Sequence, residues 1–303
     1  MIRILYLNVN GFLGNKNKNN IIKKYGIGKL REAIARESLV PIEERTITTY
    51  PKEVVEEISR DETMKDVDET MKDVDMVFLS EVDPYSWATD IFIKEMNEKG
   101  NEKGYEVLWP YAGYSEKIIQ AKKLSEDKKS EWRKKEWEKY SCTMCLKKKG
   151  ADYTNCENGF DDKQDYLHFC KIKNQKVVLL AIHCIDEERI KYFMKSIKRL
   201  LQETYNPNII VCGDTNADPD AKQATAAFEY SQNFEKFMKE LGLHEIEPKE
   251  ISGEIPKTFG NPPITRIDRV FTNMSNVKVY VKPVFAKNNL SDHEALLITY
   301  EED

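Results

Sequence analysis

A chain of 303 residues with 40% hydrophobic side chains is long enough to bury a sizeable core. Its 52 acidic and 47 basic residues leave a formal net charge of -5, which excludes a globally positive field, so any nucleic-acid contact must use a local basic patch. The stretch Met1-Ile2-Arg3-Ile4-Leu5-Tyr6-Leu7 has neither a basic region nor a long apolar one, and no run reaches the roughly 20 apolar residues of a membrane-spanning helix. The expectation is a cytoplasmic protein with no membrane contact and with its six cysteines reduced.

In chain order, Ile2 to Val9 predicts a buried strand. Its end carries Asn8 and Asn10 on one side at strand period, and Gly11 then turns the chain. Lys52 to Asp75 has a helical pattern that contains DETMKDV twice, at 61–67 and 68–74. Seven residues are close to two helical turns, so the duplication lengthens a helix and extends one apolar stripe through Met64, Val67, Met71 and Val74. Met76 to Val82 predicts a second strand, in which Glu81 is a charge in an apolar run, costly unless it binds a metal or finds a partner. NEKG is then repeated at 97–100 and 101–104.

From Glu116 to Lys149 twelve basic residues accompany six acidic ones, within an insertion expected at about 112–165. Trp132, Lys134 and Lys135 are candidate substrate contacts there, the lysines for phosphates and the indole for a base. A solvated helix with docked tryptophans is the competing reading. Cys142 and Cys145 form a CxxC, with Cys156, His168 and Cys170 downstream. A second CxxC is lacking and the spacing is irregular, so cysteines of a surface insertion are favoured over a zinc site at Cys142, Cys145, Cys156 and Cys170.

Val177 to His183 predicts a core strand that delivers His183 to its end, and a helical pattern runs from Asp186 to Thr204. Asn208 to Gly213 predicts another strand, followed by Asp214 and Asn216. A carboxylate and an amide at that spacing can align a water and donate to a phosphate, or simply form an Asx turn. A helix is expected over Gln223 to Leu241, then strands over Thr265 to Thr272, Val277 to Phe285 and Ala295 to Tyr300, with a turn at 273–276. Asp268 lies between Arg266 and Arg269, as a salt-bridge partner or as a carboxylate that orients a histidine. Asp292 and His293 are adjacent just before the last strand, where a metal ligand can stand beside a phosphate donor.

The ordered set LNVNG, SEV, AIHC, GDTNADP, IDRVF and SDHEAL, each at the end of a predicted strand, resembles the endonuclease/exonuclease/phosphatase, or deoxyribonuclease I-like, superfamily over nearly the whole chain. The resemblance implies an α/β (α+β) fold: a four-layer sandwich of two packed mixed β-sheets flanked by helices, one domain over 1–303, with the site at one end. It implies Glu81 as principal magnesium ligand, with manganese as an alternative ion, assisted by Asn8 and Asp292. It further implies that Asp214 orients or deprotonates a water, Asn216 holds the phosphate, His293 backed by Asp268 stabilises the pentacovalent charge, and His183 faces the phosphate from the other side. Asn10 stands where some nucleases of the superfamily carry aspartate, so it is assigned to substrate, and one or two metals remain open. The expected function is a metal-dependent phosphodiesterase, a nuclease on DNA or RNA. The alternatives are a lipid- or small-nucleotide-directed phosphoesterase and an inactive binding module.

Overall fold

The computed structural model describes residues 1–12, 49–59, 74–84, 86–99, 104–110, 142–155, 169–184, 190–191, 193–195, 197–198, 208–223, 225–249, 254–260, 263–283 and 285–301. In chain order its strands are β1 (Ile2–Asn8), β2 (Met76–Val82), β3 (Tyr105–Leu108), β4 (Cys142–Lys148), β5 (Thr154–Asn155), β6 (Phe169–Lys173), β7 (Val177–His183), β8 (Asn208–Asp214), β9 (His244–Glu245), β10 (Phe259–Gly260), β11 (Pro263–Thr265), β12 (Asp268–Thr272), β13 (Lys278–Lys282) and β14 (Ala295–Tyr300). The helices with defined ends are α1 (Pro51–Ser59), α2 (Trp87–Lys99) and α3 (Ala226–Glu240).

Two six-stranded mixed sheets result, one in the order β13-β14-β1-β2-β4-β3 and the other β5-β6-β7-β8-β12-β9. Their central strands are apolar on both faces because both faces are covered. Ile4, Tyr6, Met76 and Phe78 of the first sheet meet Leu179, Ala181, Ile210 and Cys212 of the second. The alternate residues Leu5, Leu7, Val77 and Leu79 face Val54 and Val55 of α1 and Phe92 of α2. On the far side Leu180, Ile182, Ile209 and Val211 pack on Phe234 and Phe237 of α3 and on Phe193, one of the helical residues at 190–198. The layers are therefore helix, sheet, sheet, helix, and burial of both faces of both sheets is the main source of stability. Helix α3 begins where Thr225 Oγ1 accepts the Phe228 N–H at 3.2 Å, satisfying a donor of the first turn. Among the described residues no helix is long and apolar enough to cross a membrane.

Register places the chemistry. In the parallel pair β7–β8 His183 is the partner of Asp214, and in the antiparallel pair β8–β12 Asp214 is the partner of Asp268. In the other sheet Asn8 pairs with Ser80. Strand alternation turns Asn8, Ser80, His183, Asp214 and Asp268 to the side shared by the two sheets, at one end of the sandwich.

Several expectations need correction. Of the helix expected over Lys52 to Asp75 the described part runs to Ser59, and Val74 and Asp75 are not helical: the Asp75 N–H donates to the Arg3 carbonyl as the chain enters β2. Most of the duplicated stretch, residues 60–73, lies outside the described residues. The insertion at 112–165 is not a continuous surface excursion, since β4 pairs with both β2 and β3 and Cys142 to Lys147 are buried. Its alternation is obscured in the sequence by Lys147 and Lys148, whose ammonium groups are satisfied by the Ala151 carbonyl and by Asp75. Residues three apart on a strand face opposite ways, so Cys142 lies in the helix-side core and Cys145 between the sheets with Cys170. Trp132, Lys134, Lys135, Cys156 and His168 lie outside the described residues. The strand expected over Thr265 to Thr272 is divided, with Arg266 and Ile267 between β11 and β12, and the one expected to reach Phe285 stops at Lys282.

Candidate active site

Asp214, the last residue of β8, is buried at the centre of the cluster. Its Oδ2 accepts from Asn8 Nδ2 at 3.2 Å and lies 3.8 Å from Nε2 of both His183 and His293. Its Oδ1 accepts the Asn216 N–H at 3.0 Å, while Asn216 Nδ2 donates to the Cys184 carbonyl at 2.9 Å. Two imidazoles thus address one carboxylate oxygen from separations too long for a direct hydrogen bond. His183 Nε2 also lies 3.2 Å from Glu81 Oε1.

His293 is fixed from several directions. Its Nδ1 is 2.9 Å from Asp268 Oδ2, its N–H donates to Ser291 Oγ at 3.1 Å, and the Phe259 ring lies 4.8 Å away between centroids. Ser291 Oγ in turn donates to the Asn8 carbonyl at 2.6 Å, tying the end of β1 to the loop that carries His293. Thr258 sets both partners, accepting the Asp268 N–H on its hydroxyl at 3.1 Å and the Glu294 N–H on its carbonyl at 2.7 Å. Arg266 and Arg269 do not pair with Asp268. Arg269 is buried and bonded to Glu245 and Glu235, and Arg266 to Glu245 and Glu247. Asp268 is left to the histidine.

The backbone around these groups is unusual at three points. Glu81 (φ 54°) and Asn216 (φ 51°) are left-handed without being glycine, a conformation that costs about 1 kcal/mol each. Strict alternation would turn Glu81 away from Asn8 and toward the helices. Pairing of β2 with β4 slips between Leu79 and Val82, and this bulge re-aims the Glu81 carboxylate to His183. Gly213 has φ 147°, and a Cβ there would stand 2.0 Å from the Ile182 carbonyl oxygen.

Burial raises the Asp214 carboxyl to about 6; Asp268 and Glu81 add to the rise, and His293 and His183 oppose it. Burial by itself would lower the His293 pKa. The charge and hydrogen bond of Asp268, with Asp214 and the buried Asp292 beside it, overcome that and raise it to about 10. At neutral pH the pair therefore consists of a carboxylate and an imidazolium, two groups whose environments have driven their proton affinities apart.

Of the residues singled out in the sequence, Asn8, Glu81, His183, Asp214, Asn216, Asp268 and His293 converge here, and Asp292 is buried where its charge acts on His293. Asn10 opens a 3-10 turn at 10–12, and its side chain lies outside what is described. The sequence reasoning missed Tyr6, Ser80, Thr258 and Ser291. Strand period was the available signal for the first two, which share a face with Asn8. Ligating atoms of Asp214, Asp268 and His293 all lie within 4.8 Å of one another, close enough to hold a metal.

Two six-stranded mixed sheets packed between helices are matched over nearly the whole chain by solved structures. An AP endonuclease from Archaeoglobus fulgidus superposes with a TM-score of 0.53 at 15% identity, covering 100% of both chains. A 3'-5' exonuclease from Neisseria meningitidis gives 0.51 at 12%, covering 99% of this chain and 100% of that one. This chain has the deoxyribonuclease I-like fold. A Neisseria 3' phosphatase bound to a product DNA hairpin matches the same deoxyribonuclease I-like frame at 0.51 and 12% identity, over 100% of both chains. No protein-family model matches the sequence, and no curated protein gives a significant match.

Proposed function

We propose that this chain is a magnesium-dependent phosphodiesterase acting on nucleic acid, built as one catalytic domain. The observation that carries the reading is the buried arrangement in which His293, held by Asp268 at 2.9 Å, and His183 both face one oxygen of Asp214 at 3.8 Å, at the end of a deoxyribonuclease I-like sandwich. The solved structures of this fold described above are of two proteins, an AP endonuclease and a Neisseria exonuclease that is also described as a 3' phosphatase and holds a product DNA hairpin, which favours a nucleic-acid substrate over a lipid.

The donor set fits magnesium. Glu81 is a partly exposed carboxylate whose charge acts on Asp214, and hard oxygen donors suit a hard cation. The Asp214, Asp268 and His293 cluster is less suited to it, because one of its three donors is an imidazole nitrogen and magnesium takes oxygen ligands. Glu81, Asn8 and Asp292 would hold the ion, which when bound acts as a Lewis acid on phosphoryl oxygen. Asp214 accepts a proton from the attacking water. His293 and His183 point their Nε2 atoms at the same oxygen of Asp214, so a phosphate between them meets donors on two sides. Asp268 keeps the His293 ring oriented and charged. Asn216 is exposed, and the amide hydrogen that its bond to the Cys184 carbonyl leaves over donates to a non-bridging oxygen.

The test is hydrolysis of single- and double-stranded DNA, RNA and a chromogenic phosphodiester with magnesium or chelator, in wild type, Glu81→Ala and His293→Ala. Polymer cleavage that needs magnesium and is lost in both variants is expected. Turnover that survives chelation or Glu81→Ala overturns the metal assignment, and folded wild type inert on every substrate overturns the hydrolase reading in favour of a binding role.

A further inference from the structure

We infer that Tyr6 is a positioning residue for the reaction, its hydroxyl locking together the four strand ends that carry Asn8, Glu81, His183 and Asp214; this rests on the hydrolase reading above. Tyr6 is fully buried on β1, two residues before Asn8 and on the same side of the strand. Its phenol spans the layer between the sheets. There the oxygen accepts the Asp214 N–H at 2.8 Å, shares a 2.7 Å hydrogen bond with Ser80 Oγ, and lies 3.4 Å from the Ile182 carbonyl oxygen. Ser80 precedes Glu81, Ile182 precedes His183, and Asp214 is the residue that faces both imidazoles. One hydroxyl therefore touches β2, β7 and β8 at the residue that adjoins, or is, each candidate functional group.

The arrangement exceeds what packing of the core requires. Ile4, Met76, Leu179 and Ile210 join the same two sheets through apolar contact alone. A phenylalanine would fill the same ring volume but would leave the buried Asp214 N–H without its acceptor. Sub-ångström drift of the carboxylate is what a water in line with a phosphate tolerates least. The bulge at Glu81 adds a reason for such a tie, since a left-handed residue persists only where its surroundings over-determine it.

The experiment compares Tyr6→Phe with Tyr105→Phe in the full chain. Tyr105 is a matched control: it is buried and its hydroxyl donates to the Val74 carbonyl at 2.8 Å on the helix side of the first sheet. Expected for Tyr6→Phe are a kcat lowered about tenfold or more at nearly constant KM, and faster hydrogen exchange at the Asp214 amide with 209–212 unchanged. Tyr105→Phe should keep wild-type kcat. Equal kcat in Tyr6→Phe and wild type, or an equal loss in both variants, overturns the inference while leaving the hydrolase reading intact. If wild type has no hydrolytic activity the reading itself fails, and unchanged exchange at the Asp214 amide then overturns the structural part as well.

Discussion

Nδ1 of His293 lies 2.9 Å from Oδ2 of Asp268, and both side chains are buried. The second oxygen of Asp268 accepts no hydrogen bond among the described residues, so the histidine is the group that compensates this buried charge. Asp268→Asn keeps the shape and removes the charge that holds the imidazolium. Expected is a fall in kcat of about a hundredfold or more with far-UV circular dichroism unchanged. A rate within about threefold of wild type would remove the pair from the mechanism.

The pH profile follows from the same groups. kcat/KM should rise with an apparent pKa at or below about 6, as Asp214 loses its proton, because a bound cation favours the carboxylate further. It should fall near pH 10 as His293 deprotonates. Both groups bind protons more tightly in the folded state, so each contributes stability at low pH that is lost on raising it. For Asp214 the loss runs from about 3.8 to about 6, and for His293 from about 6.5 to about 10. Urea midpoints of the metal-free protein should therefore decline between pH 7 and pH 10, and the decline should be smaller in His293→Gln.

Glu81 combines a strained backbone with a carboxylate set among other acids. Glu81→Gly relieves the left-handed penalty, about 1 kcal/mol, and removes repulsion with Asp214. The expected outcome is lost magnesium-dependent turnover with a melting temperature equal to or above that of wild type. A marked fall in melting temperature would mean that Glu81 is there for stability.

Gly213 cannot gain a side chain without moving the Ile182 carbonyl and changing its own φ of 147°. Gly213→Ala should cost about 3 kcal/mol in chemical denaturation and disturb the His183–Asp214 register pair. A cost below about 0.5 kcal/mol would show that the strands can separate there at little expense.

Most of the site was legible because its residues sit at the ends of apolar strands, where a charge stands out against its neighbours. His183 after Val177–Ile182 and Asp214 after Ile209–Gly213 are of this kind. Strand β4 was not legible: Lys147 and Lys148 break its alternation and are accommodated by the Ala151 carbonyl, Glu106 and Asp75, none of them in β4. Nor could spacing choose between a salt bridge and a histidine partner for Asp268. That choice was made by Glu235, Glu245 and Glu247, which draw both arginines away. The role of Tyr6 depends on contacts across more than 170 residues, beyond the reach of any local pattern.

Because His183, Asp214 and Asp268 are fixed by backbone pairing between strands, the linkers joining those strands do not set the spacing of the reactive atoms. A linker can lengthen at little thermodynamic cost, since loop-closure entropy grows only with the logarithm of length. The two tandem copies in this chain lie outside those three strands in sequence, DETMKDV at 61–74 ahead of β2 and NEKG at 97–104 from the last turn of α2 to the start of β3. A change of length between two paired strands therefore alters the path of the chain but leaves the distances among His183, Asp214 and Asp268 where the ladders put them.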